Sequence, residues 1–148
     1  MKILYILHSI MMGGATISFI NMIKDISESK DVEAVIVIPQ GSNCADVSEF
    51  YERISMPEIK IIELPVPSFE FCELPPVCQL KQFIHHVKFR FKTKIKEVKA
   101  YNKLERLVLH EKPDVIHTNV GTVHVGFKVS QKYRIPHVWH LREYQDLD

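Results

Sequence analysis

Glycine is scarce in this chain, with 5 residues in 148, and half of its 8 prolines crowd into residues 65–79, so neither a collagen-like repeat nor a low-complexity linker fits. Cysteine is nearly absent. Cys44, Cys72 and Cys78 form no C-x-x-C pair, which argues against both a zinc cage and a disulfide framework and leaves reduced thiols as the expectation. No stretch approaches the ~18 consecutive apolar residues of a membrane span, and the run Ile3 to Leu7 is too short for a signal-peptide core before His8 and Ser9 interrupt it. A cytoplasmic protein is expected. What remains is a globular composition, 46% hydrophobic and 25% charged, at a length that suits one domain with a sizeable core.

Net charge is also small, +1, but it conceals a division. Residues 1–74 carry 5 Lys and Arg against 11 Asp and Glu, whereas residues 75–148 carry 14 against 7. Lys81 to Lys103 alone holds 8 basic residues and a single acid, Glu97.

Buried strands and amphipathic helices alternate along the chain. Lys2 to Leu7 (KILYIL) is a nearly continuous apolar run of strand length, followed by Gly13 and Gly14 and by a helical pattern from Ala15 to Ser29 with Ile17, Ile20, Ile23 and Ile26. Val32 to Ile38 and Ile59 to Leu64 read as further strands, with a helix between them from Cys44 to Ile54 that either Ser42 or Asn43 can cap. The proline-rich stretch 65–79 excludes regular helix and predicts a long loop carrying Phe69 and Phe71. Leu80 to Glu111 reads as one long amphipathic helix, Asp114 to Thr118 as a strand, Gly121 to Tyr133 as a helix and Pro136 to His140 as the fifth strand. Such alternation predicts an α/β fold, a doubly wound, mostly parallel Rossmann-like sheet in three layers. Ligands of that architecture bind beyond the carboxyl ends of the strands, here His8 to Gly14, Thr118 to Gly121 and His140 to Glu143.

Gly13 and Gly14 open a helix directly after the first strand, where backbone N–H groups and the positive helix end suit a phosphate. A tight turn needing positive φ explains the same pair. The sequence there matches neither G-x-G-x-x-G nor the Walker pattern. That mismatch, with Ile38-Pro39-Gln40 in place of an acidic residue after the second strand, weakens nicotinamide binding. The absence of an acidic cluster after the first strand weakens a phosphoacceptor receiver. His137 and His140, three apart on a strand, point to opposite faces and do not easily share a metal ion. His140, at a strand end, is placed either as a hydrogen-bonding or proton-handling group in the cleft or as a structural histidine.

Three segments together carry a resemblance: K-I-L-Y-I-L-H with M-G-G-A-T, K-P-D-V-I-H-T-N, and R-I-P-H-V-W-H-L-R-E. In this order they resemble the N-terminal domain of family 4 glycosyltransferases of the GT-B type, over the ordered parts from Lys2 to Glu143. The resemblance implies two facing Rossmann-like domains and a retaining transfer between them, from a nucleotide-sugar donor to a glycan or lipid-linked acceptor, with no cofactor and no obligatory metal. It implies that Gly13 and Gly14 line the donor diphosphate and that His140 contacts the transferring sugar. His8, Thr118, Asn119, Arg142 and Glu143 are further cleft candidates. Many relatives place an acid directly after the histidine, whereas Leu141 and Arg142 intervene here.

A second domain with an E-x(7)-E pattern would hold most of the donor, so residues 1–148 are expected to be inactive alone. Cell-surface polysaccharide synthesis is the expected setting. The alternative is a noncatalytic adaptor that recruits a catalytic partner to the membrane through its basic helix. For Lys81 to Lys103 itself, the readings are peripheral contact with an anionic membrane or a solvated polar face whose opposite side covers the sheet. Sparse aromatic interleaving and the lack of a recognisable motif argue against nucleic acid.

Overall fold

A computed structural model describes residues 1–27, 31–54, 59–66, 80–119 and 123–141. The elements run β1 (Lys2–Leu7), α1 (Gly14–Ser27), β2 (Glu33–Pro39), α2 (Cys44–Ile54), β3 (Lys60–Leu64), α3 (Leu80–Glu111), β4 (Val115–Asn119), α4 (Val125–Tyr133) and β5 (His137–His140). The five strands form one parallel sheet in the order β3-β2-β1-β4-β5. The order reverses between β1 and β4, which puts the topological switch point of this fold at the tips of those two strands.

Alternation along the strands divides the core into two layers. Leu4, Ile6, Val35, Val37 and Ile116 pack against Ala100, Leu104 and Val108 of α3 and Val125 and Val129 of α4. Tyr5, Leu7, Ile36 and Ile38 pack on the other face against Phe19, Ile20 and Ile23 of α1 and Phe50 and Ile54 of α2. β1 and β2 are central and buried from both sides, which is why they read as unbroken apolar runs.

The local details sharpen several expectations. Asn43 caps α2, its Oδ1 accepting from the Ala45 N–H at 3.2 Å, while Ser42 turns away and donates to the Pro39 carbonyl. α4 begins at Val125 rather than Gly121. It ends at Arg134, whose left-handed conformation (φ 55°) is the geometry of a helix C-terminus more often occupied by glycine. Phe69, Phe71, Cys72 and Cys78 lie outside the described residues.

Two buried carboxylates fasten α3. Glu111, at its end, accepts from Lys2 of β1 and Lys60 of β3. The Lys60 hydrogen bond is the main cause that holds its carboxyl down, to about 2, against the opposing effect of burial. Burial likewise pushes Glu97 upward, but hydrogen bonds from Lys128 of α4 and from Lys94 outweigh it and bring its pKa below the ordinary carboxylate value.

The long helix departs from its sequence reading. A helix of 32 residues is about 48 Å long, roughly twice the ~20 Å of these strands. Its C-terminal half is the part that lies on the sheet, through Ala100, Leu104 and Val108. Val87, Phe91, Ile95 and Val98, expected to continue that packing stripe, are exposed, and so is Ile84 beside them. The residues recur every three or four positions, but the consecutive steps of three from Ile95 through Val98 and Tyr101 to Leu104 each fall about 60° short of a full turn at 3.6 residues per turn, so the early members face away from the sheet.

Candidate functional site at the strand tips

In β1 the chain leaves the sheet at Leu7, and Ile10 turns back into the α1-side core. The Met11 N–H donates to Ser9 Oγ at 3.2 Å and the Gly13 N–H to the Met11 carbonyl at 2.7 Å, which tightens the loop before the helix. Ile17 then donates to the Gly13 carbonyl at 3.0 Å, so Gly13 is the residue preceding α1 and Gly14 its first. The two glycines therefore differ. Gly13 already spends its N–H inside the loop, whereas Gly14, Ala15 and Thr16 form the first helical turn, whose N–H groups have no acceptor within a helix.

Neither glycine has positive φ; among the described glycines only Gly41 does. The turn explanation for the pair is thereby removed. A Cβ built on Gly13 or Gly14 meets no atom within 4 Å, so the space beside this helix start is open.

Registers tie this corner to β5. Leu7 lies beside Asn119, and Asn119 beside His140, on three adjacent strands. Partners in a parallel sheet share a face, and Leu7 belongs to the α1 layer. Asn119 and His140 therefore project on the side that carries the α1 N-terminus, with His140 about 10 Å across the sheet from Leu7.

A chain of rings supports this arrangement. His140 meets His117 edge-on at 5.9 Å, His117 tilts against Tyr5 at 5.3 Å, and Tyr5 meets Phe19 of α1 at 5.5 Å. Asn119 is buried beside this row, and His8 is half-buried at the tip of β1.

Thr118 is corrected by the same alternation. It points to the opposite face, is fully buried, and its Oγ1 lies 2.9 Å from His137 Nε2. Burial lowers the His137 pKa and favours the neutral ring that this contact suits. Thr118 and His137 are thus packing partners beneath α4, away from the cleft, and His137 and His140 do face opposite ways. Gly126 of α4 closes over this pair, with no room for a side chain: its added Cβ would stand 2.4 Å from Thr118 Oγ1 and 2.9 Å from Ile6 Cδ1. Arg142 and Glu143 lie outside the described residues.

His117 and Gly126 carry roles that sequence reasoning did not find. The register that puts His117 under His140 is invisible in a one-dimensional pattern, and nothing local marks Gly126 as the contact point of α4 with the sheet.

Chemically, the corner offers uncommitted amide donors at a positive helix end and an imidazole on the same face. No protein-family model matches the chain, and no curated protein matches it. Solved structures do. MurG from Acinetobacter baumannii aligns with a TM-score of 0.62 at 12% identity, over 95% of this chain and 34% of MurG. LpCGTa, crystallised in complex with UDP, aligns at 0.51 and 12% identity, over 93% of this chain and 30% of its own. The chain spans about a third of each of these proteins. At such identities the likeness concerns architecture, and in its fold this chain is similar to the N-terminal domain of GT-B glycosyltransferases.

Proposed function

We propose that this chain is the acceptor-side half of a retaining, nucleotide-sugar-dependent glycosyltransferase of family 4. The glycan or lipid-linked acceptor that the sequence resemblance implies approaches the strand tips, and a second domain holds most of the donor. The observation that carries the reading is the shared face of His140, Asn119 and the α1 N-terminus at the switch point, with open space beside Gly14. In transfer, the bond from the anomeric carbon to the diphosphate oxygen breaks as the acceptor hydroxyl oxygen bonds to that carbon; negative charge gathers on the diphosphate, whose departing oxygen takes the hydroxyl proton. The N–H groups of Gly14 and Ala15 stabilise that charge, and His140 contacts the sugar. Support from the comparisons is that LpCGTa, similar in fold, was crystallised with UDP.

Gly14→Asp tests the reading because it separates folding from binding. An acid in the first helical turn interacts favourably with the helix dipole, and glycine is a poor helix residue, so the variant is expected to be more stable by about 0.5–1 kcal/mol. The same carboxylate occupies the anion position and is expected to raise the KM for the nucleotide-sugar at least about tenfold in the whole enzyme. Thermal melting and steady-state transfer measure the two effects. A Gly14→Asp enzyme with unaltered KM would remove the donor diphosphate from this helix end.

A further inference from the structure

We propose that the N-terminal half of α3 docks on an anionic lipid bilayer, with Ile84, Val87, Phe91, Ile95 and Val98 inserting among the headgroups. This inference goes beyond the glycosyl-transfer reading and stands whether or not the chain transfers sugar. These five side chains are exposed, Phe91 at 69%, although their character suits a core. At 3.6 residues per turn they form one stripe centred roughly 140° around the helix axis from the stripe of Glu97, Ala100, Leu104, Val108 and Glu111, which faces the sheet and α4. The helix thus has two apolar faces. One serves the fold, and the other runs about 20 Å along the overhanging segment.

Charge decides what can cover the second face. Lys88, Lys92, Lys96 and Lys99 border the stripe on one side, and Arg90 and Lys94 on the other. Among the described residues only Lys94 of these six pairs with a carboxylate, Glu97, and Glu97 is also held by Lys128. A second copy of the chain is a poor occupant, because joining two such stripes brings rows of lysine together. An acidic nucleic acid satisfies the lysines and leaves the apolar stripe in water. An anionic bilayer satisfies both, with phosphates at the borders and acyl chains beneath the stripe. No helix among the described residues is long and apolar enough to cross a membrane, so α3 would lie along the surface.

The test is co-sedimentation of the chain with phosphatidylcholine vesicles, with and without phosphatidylglycerol, at low and high salt. Binding is expected with phosphatidylglycerol at low salt, with loss on removing that lipid or raising salt. Both the Phe91→Ser, Ile95→Ser variant and the Lys92→Glu, Lys96→Glu variant are expected to bind at least about tenfold more weakly with unchanged circular dichroism, since all four positions are exposed. A Phe91→Trp variant is expected to shift its emission to the blue on the anionic vesicles. The proposal is overturned by absence of binding to them, by full binding of the serine variant, or by an unshifted tryptophan in bound protein. It is equally overturned if the chain self-associates through this stripe, seen as a dimer in sedimentation velocity that the serine variant abolishes.

Discussion

His140→Ala is expected, on the proposed function, to lower sugar transfer by the whole protein about 10²–10³-fold, the loss that follows removal of one preorganised polar group from a reaction centre. The fold should survive. His140 sits at the end of an edge strand, half-buried, and one side chain it touches is His117, in a ring contact worth about 0.5–1.5 kcal/mol, so the thermal midpoint should fall by about 3–5 °C for that contact. The two readouts discriminate the roles. A structural histidine would lower the midpoint and leave kcat alone, whereas a group touching the sugar lowers kcat in an enzyme that still melts cooperatively. Unchanged turnover would remove His140 from the site.

The second large effect concerns stability. Gly126→Ala is expected to destabilise the domain by about 1–2 kcal/mol, although alanine is the better helix residue by about 1 kcal/mol. The new Cβ stands 2.4 Å from Thr118 Oγ1, on a branched side chain that is fully buried and held at 2.9 Å from His137, so the short contact cannot be relieved by rotating a free chain end. Ile6 Cδ1, the other neighbour, can move. Thr118→Ala removes the obstructing oxygen, and in the double variant much of the loss should return. A coupling of about 1 kcal/mol or more in denaturant unfolding is the expected sign of this contact. A Gly126→Ala protein more stable than the parent would show that α4 has slack against the sheet.

The alternation of strands and helices was legible because β1 and β2 are buried on both faces and α2 opens on an asparagine cap. Strand order and register were not, and they decide the site. Thr118 and Asn119 are neighbours in sequence and both look like strand-end polar residues, yet alternation sends the first beneath α4 and the second toward His140. Gly13 and Gly14 look equivalent until the Met11 carbonyl is seen to take the Gly13 N–H. In α3, a periodicity shared by two different faces hid the point at which the helix leaves the sheet. Each of these failures has one origin: a local pattern reports that a side chain is apolar or polar, not which neighbour the tertiary fold brings against it.

The proposed function requires the open corner formed by the α1 N-terminus and the β4 and β5 tips to receive the donor's diphosphate. Amide chemical-shift mapping of this chain during titration with UDP, up to about 10 mM to allow for the weak binding of half a site, tests it most directly. Shifts are expected at Gly14, Ala15 and Thr16 with smaller ones at Asn119 and His140, reproduced by inorganic pyrophosphate and lost in Gly14→Asp. An undisturbed corner, or shifts at the opposite ends of the strands around Lys2, Glu33 and Asp114, would contradict it.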